Sequence, residues 1–151
     1  MKRNITIAFI SLSVWICTAC DKCKDIACFT PPTDFVFKIV DKNNQNISSS
    51  FSEFTLKYSK NGTAKEEKLS KIITASQQAA FRAVNLGWES TEEGVLADVV
   101  LDGNVRGKLF CKMAKKNEDC CSFFELEKLT FNEQAISNSK DQEYSYLLLV
   151  P

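Results

Sequence analysis

From Asp34 onward the apolar residues recur mostly with a period of two, and that period points the chain to β-strands. In DFVFKIVD, Phe35, Phe37 and Ile39 share one face. In EFTLKY, Phe54, Leu56 and Tyr58 face a core while Glu53, Thr55 and Lys57 face water, the pattern of a half-buried antiparallel strand. Asn61-Gly62 follows at once as a hairpin turn, with Ala64 to Leu69 as its return; that return is so highly charged that it belongs at a sheet edge. Val95, Ala97, Val99 and Leu101 alternate next and run into Asp102-Gly103, a second turn dipeptide, with Leu109, Cys111 and Met113 beyond it.

Further along, Lys115 to Asp119 reads as a polar turn, and CSFFELEKLTF alternates with a slip of phase between Leu126 and Leu129, as a β-bulge produces. Glu143 to Val150 is apolar on both sides, the mark of a central strand. Ser76 to Leu86 fits a helix capped by Ser76 or a strand with Ala80, Arg82, Val84 and Leu86 on one side; its strand neighbours favour the strand. With 151 residues, 44% of them hydrophobic and 25% charged, the chain has the size and composition of one globular domain. The expectation is an all-β antiparallel β-sandwich of seven or eight strands, immunoglobulin-like or transthyretin-like, with room for one short helix.

The first 19 residues do not belong to that fold. Lys2 and Arg3 precede an uncharged stretch, Ile5 to Ile16, that is too short to span a bilayer and has the length of a signal-peptide core. Cys17-Thr18-Ala19-Cys20 then resembles the lipobox of bacterial lipoprotein precursors, in a relaxed form with Cys17 where Leu is usual. The resemblance implies cleavage before Cys20 and lipidation of Cys20, with palmitate among its acyl chains; ordinary secretion is the alternative, since Ala19 also suits a simple cleavage site. Residues 20–33 read as a stalk, stiffened by Pro31-Pro32 and able to span at most about 46 Å, and residues 34–151 as the domain. The segments CFTPPTDFVFKIVDK, NLGWES and EDCCSFFELEKL resemble small lipoproteins of Bacteroidota to which no activity is assigned. That likeness implies an outer-membrane address in the cell envelope and a fold class, and no catalytic residue.

Several chemistries are excluded or left without support. The chain has no His, which removes the usual general base and imidazole metal ligands. Removing residues 1–19 takes away two bases and no acid, so 17 bases face 19 acids at a net charge of −2, no footprint for nucleic acid. Cys17, Cys20 and Cys23 open like a ferredoxin cluster motif, but Cys28 follows after four residues rather than three and precedes Phe29. Asp41, Asn43 and Gln45 begin like a calcium loop that lacks Gly at its sixth position and Glu at its twelfth. Glu66-Glu67, Glu92-Glu93 and Glu118-Asp119 sit in polar runs and read as solvated surface.

Cys23, Cys28, Cys111, Cys120 and Cys121 remain as disulfide candidates in an oxidising compartment, with at least one bridge expected at Cys120 or Cys121 and Cys111 as the preferred partner. Trp88, beside Gly87, is a candidate ligand contact as well as a core residue. The expected role is therefore a non-enzymatic binding or accessory module, anchored to the membrane by lipid, needing no cofactor or metal and meeting an envelope protein or ligand. The alternative is an envelope enzyme or thiol-dependent redox protein using Cys111, Cys120 and Cys121.

Overall fold

The computed structural model describes residues 28–91, 93–118, 121–136 and 145–150. Strands β1 (Cys28–Thr30), β2 (Phe35–Val40), β3 (Phe54–Lys60), β4 (Thr63–Lys68), β5 (Ser70–Ile73) and β6 (Ala79–Ala83) come first. A single helical turn, α1 (Leu86–Glu89), is followed by β7 (Val95–Leu101), β8 (Asn104–Glu118), β9 (Cys121–Phe131), β10 (Gln134–Ala135) and β11 (Tyr146–Leu149). The chain is all-β. Its larger sheet runs β1-β9-β8-β7-β3-β4 with β10 beside β9, and its smaller sheet runs β11-β2-β6-β5.

The alternation seen in the sequence fills the space between the sheets. Phe54 and Leu56 of β3, Ala97 and Val99 of β7, and Leu109 and Cys111 of β8 share one buried cluster with Phe35, Phe37 and Ile39 of β2 and Phe81 of β6. Phe54 joins the two sheets directly, its ring 6.0 Å from Phe37 and 5.5 Å from Phe81, distances at which edge and face attraction adds to burial. Asn61-Gly62 and Asp102-Gly103 turn the hairpins, all four residues at positive φ, which matches the strand twist in a two-residue loop. The charged return strand is β4, at the edge of the larger sheet. Glu127 is the extra residue where the β8–β9 register shifts, the bulge anticipated between Leu126 and Leu129.

Other expectations give way. Eleven strands are present among the described residues, and two pairings are parallel, β1 with β9 and β11 with β2. Parallel neighbours need a long crossover, and strands near the two ends of the chain have one in everything between them. The segment expected to be stalk contributes β1, and Pro32 is buried where a side chain on Gly87 would come within 2.7 Å of it. Lys115 to Glu118 continue β8 instead of turning. β11 lies at a sheet edge rather than in the centre. β6 is a strand, as its neighbours favoured, with Phe81 and Ala83 buried on one side and, on the other, Ala80 buried and Arg82 exposed. Thr55 is buried between Lys68 and Val100 because β3 has a neighbour on each side.

Candidate functional site

The region around Trp88 is assembled from three elements, β1, β9 and α1. β1 is clamped to β9 by a disulfide between Cys28 and Cys121, which face each other in the register with Cα atoms 4.6 Å apart. Phe29 follows Cys28 and pairs with Ser122; Phe124, two residues further along β9, points to the same side because strand side chains alternate. Trp88 projects from α1 onto this pair. The three ring centroids lie 6.0 Å (Phe29–Trp88), 6.1 Å (Phe29–Phe124) and 6.0 Å (Trp88–Phe124) apart. Phe124 is half-buried against the core, whereas core packing does not absorb the other two: Phe29 is 54% exposed and Trp88 46% exposed.

α1 is held in place from below. The Ser90 hydroxyl donates to the Leu86 carbonyl and accepts a hydrogen bond from the Cys111 thiol at 3.3 Å, while the Met113 N–H donates to the Ser90 carbonyl at 2.9 Å. Glu67 accepts a hydrogen bond from the Asn85 N–H at 2.8 Å and is 5% exposed, so the Glu66-Glu67 pair is not solvated surface at both positions. Glu67 sits opposite Leu56 and so turns inward, while Glu66 sits opposite Lys57 and makes an exposed ion pair with it at 3.5 Å. Glu89, at the end of α1, lies 2.6 Å from Lys65 and 3.3 Å from Lys60. The hydrogen bond from Lys65, aided by Lys60 and opposed by burial, holds the Glu89 carboxyl below the usual carboxylate range. Burial, helped by the charges of Glu89 and Glu67, pushes the Tyr58 phenol up to about 12.

Among the described residues, the cysteines form one bridge and one buried thiol. Cys111 is a free, fully buried thiol facing Leu129. Burial pushes it up to about 11 against the smaller opposing effect of the Ser90 hydrogen bond. Cys121 faces Glu118, seven positions along β8 from Cys111, which puts the two about 23 Å apart along the strand. The preferred Cys111–Cys121 pairing is therefore corrected, since a bridge requires Cα atoms within about 7 Å. The bridge formed at Cys121 takes Cys28 instead. Cys20, Cys23 and Cys120 lie outside the described residues, as do Glu92 and Asp119.

Asp41 spends one carboxylate oxygen on the N–H groups of Asn43 (2.8 Å) and Gln45 (2.9 Å), which makes it the organiser of a tight turn. Among the described residues, no group of three His, Cys, Asp or Glu side chains is placed to hold a metal ion.

A second surface escaped the sequence reading. The outer face of the larger sheet carries a depression of about 500 Å³ lined by Leu96, Phe110, Lys128, Thr130 and Asn132 among others. The Lys128 ammonium lies 5.6 Å from the centre of the Phe110 ring, within cation–π range. The available signal was an apolar residue at each of two outward positions, Leu96 in VLADVVL and Phe110 beside Leu109. Comparison of the chain with protein-family models, with curated proteins and with solved structures finds no match.

Proposed function

We propose that this protein is a lipid-anchored cell-envelope β-domain that acts as a non-enzymatic binding or accessory module, tethered to the membrane through Cys20. The observation that carries the reading is the Cys28–Cys121 disulfide, eight residues downstream of the lipobox-like Cys20. Disulfides of this kind persist in oxidising compartments, the destination that a basic, apolar and small-residue leader specifies. The mature chain's net charge of −2 gives no attraction to anionic lipid, so attachment comes from the acyl chains, at about 0.8 kcal/mol for each buried CH₂. The depression around Phe110 supplies the kind of surface a binding module uses, an aromatic and an aliphatic side chain flanked by a cation and hydrogen-bonding groups.

The thiol-redox alternative draws little support from Cys111, a buried thiol held in its protonated form and distant from Cys121.

Fractionation tests the proposal. Cys20→Ala is expected to move the protein from the detergent-extracted membrane fraction to the soluble envelope fraction and to abolish incorporation of labelled palmitate. An unchanged distribution, or an N-terminal peptide carrying an unmodified Cys20, overturns the anchor.

A further inference from the structure

β1 runs parallel to β9, beginning where β9 begins, at the tip of the long β8–β9 hairpin. The chain therefore enters the domain at that tip. Cys20 precedes Cys28 by eight residues, so a lipid on Cys20 holds this end within about 29 Å of the bilayer at full extension. The exposed aromatic cluster lies at this same end: Phe29 adjoins Cys28, and Phe124 is three residues along β9 from Cys121.

Its composition suits the boundary between headgroups and acyl chains. Trp is enriched there because its large apolar ring carries one polar N–H. Lys115 faces Phe124 in the β8–β9 register and is exposed, with a stem long enough to lie along the aromatic patch while its ammonium group reaches lipid phosphates. The patch is also preorganised. The disulfide fixes Phe29, and the close approach of Gly87 to Pro32 together with the Ser90 hydrogen bonds to β8 fixes Trp88. Little side-chain freedom remains to be lost on contact.

We propose that the Phe29–Trp88–Phe124 cluster is a membrane-contact face that lays the hairpin end of the domain against the bilayer bearing its own anchor. The proposal rests on acylation of Cys20. It turns the Phe110 depression away from the lipid: Thr130 lies nine positions along β9 from Cys121, about 30 Å.

Cleavage before Cys20 leaves Trp88 as the single Trp of the protein, since Trp15 belongs to the leader. The full chain, processed in a lipoprotein-competent host, is reconstituted into phosphatidylethanolamine–phosphatidylglycerol vesicles with and without lipids brominated near the headgroup. Trp88 emission is expected to shift to the blue, to be quenched by the bromolipid and to be shielded from aqueous iodide. Cys20→Ala protein added to the same vesicles is expected to be unquenched, and an acylated Phe29→Ser protein to lose part of the quenching.

A peptide mass showing acylated Cys20, combined with Trp88 that bromine does not quench, overturns the contact face and leaves the anchor standing. Shielding from iodide that is independent of bromine and disappears on dilution identifies a second copy as the occupant and overturns it equally. An unmodified Cys20 overturns both proposals. The bromolipid and iodide measurements on the unsubstituted protein decide the matter even if Phe29→Ser fails to fold.

Discussion

At Cys111 a weakly polar side chain has been taken out of water, with the Ser90 hydroxyl as its hydrogen-bond partner. The thiolate is disfavoured there, so the group's ordinary value of 9.0 rises to about 11. Between those limits the unfolded chain releases the Cys111 proton while the native chain keeps it. The native state then binds more protons, and stability falls as pH rises. The contribution is fully present below pH 9, and at about 1.4 kcal/mol per pH unit its loss reaches roughly 3 kcal/mol near pH 11. Tyr58, raised from 10.0 to about 12, adds a loss of the same sign that starts one unit higher. Urea midpoints followed from pH 7 to pH 11 should fall more steeply for the native protein than for Cys111→Ala. Parallel curves would contradict the assignment. Inward positions such as Cys111 and Met113 were legible because their period is strict. Glu67 was not, because it lies among four consecutive charged residues, Lys65 to Lys68; its registration opposite Leu56 is a property of the β3–β4 pair.

At the scale of elements, what local chemistry decides could be read and what pairing decides could not. Asn61-Gly62 and Asp102-Gly103 announce their hairpins because they favour the positive φ that two-residue turns require. The bulge at Glu127 shows as a slip in alternation within a single strand. β11 misled in the other direction. Being apolar on both sides it resembles a central strand, yet it lies at the edge of the smaller sheet, with Leu148 fully buried and Leu149 48% exposed. Leu147 and Leu149 line a recess together with Ala135 and Ile136, so the outward apolar side chains of β11 face open space rather than a second neighbouring strand. β11 also covers Phe37 to Val40 of β2, a run of strong strand formers that would otherwise be an open edge. A chain ending at Tyr144 should therefore form more sheet-rich aggregate than the full chain, read by size-exclusion chromatography and dye binding. Leu148→Ala, which deletes buried methyl groups without opening the edge, should elute as the full chain does and lose about 3 kcal/mol in urea unfolding. A truncated chain with an unchanged elution position and melting point would show that β11 protects nothing.

At the scale of the whole molecule, the Cys28–Cys121 bridge ties the first strand to the ninth across a sequence separation of 93. Most of the described fold lies inside that loop, so the bridge acts on the entire unfolded ensemble more than on β1. β1 alone contributes little: it has three residues, with Phe29 and Thr30 exposed. Closing a loop of this length removes unfolded-state entropy equivalent to about 4.6 kcal/mol in the chain-entropy account. Reduction should accordingly leave the rest of the two-sheet core intact at 25 °C while lowering its resistance to urea. With a slope near 2 kcal/mol per molar, the midpoint should drop by roughly 2 M. Cys28→Ser should lower the midpoint under oxidising conditions by the amount that the β1–β9 bridge contributes, since it removes that constraint. Cys111→Ser should leave the difference between oxidised and reduced protein unchanged, since Cys111 lies outside the bridge. If reduction shifts the midpoint and Cys28→Ser does not, the stabilising bridge is not the one that joins β1 to β9. If neither shifts it, the unfolded chain is already compact enough that closing the loop removes no freedom, and the fold draws its stability from the inter-sheet core around Phe37, Phe54 and Phe81 alone.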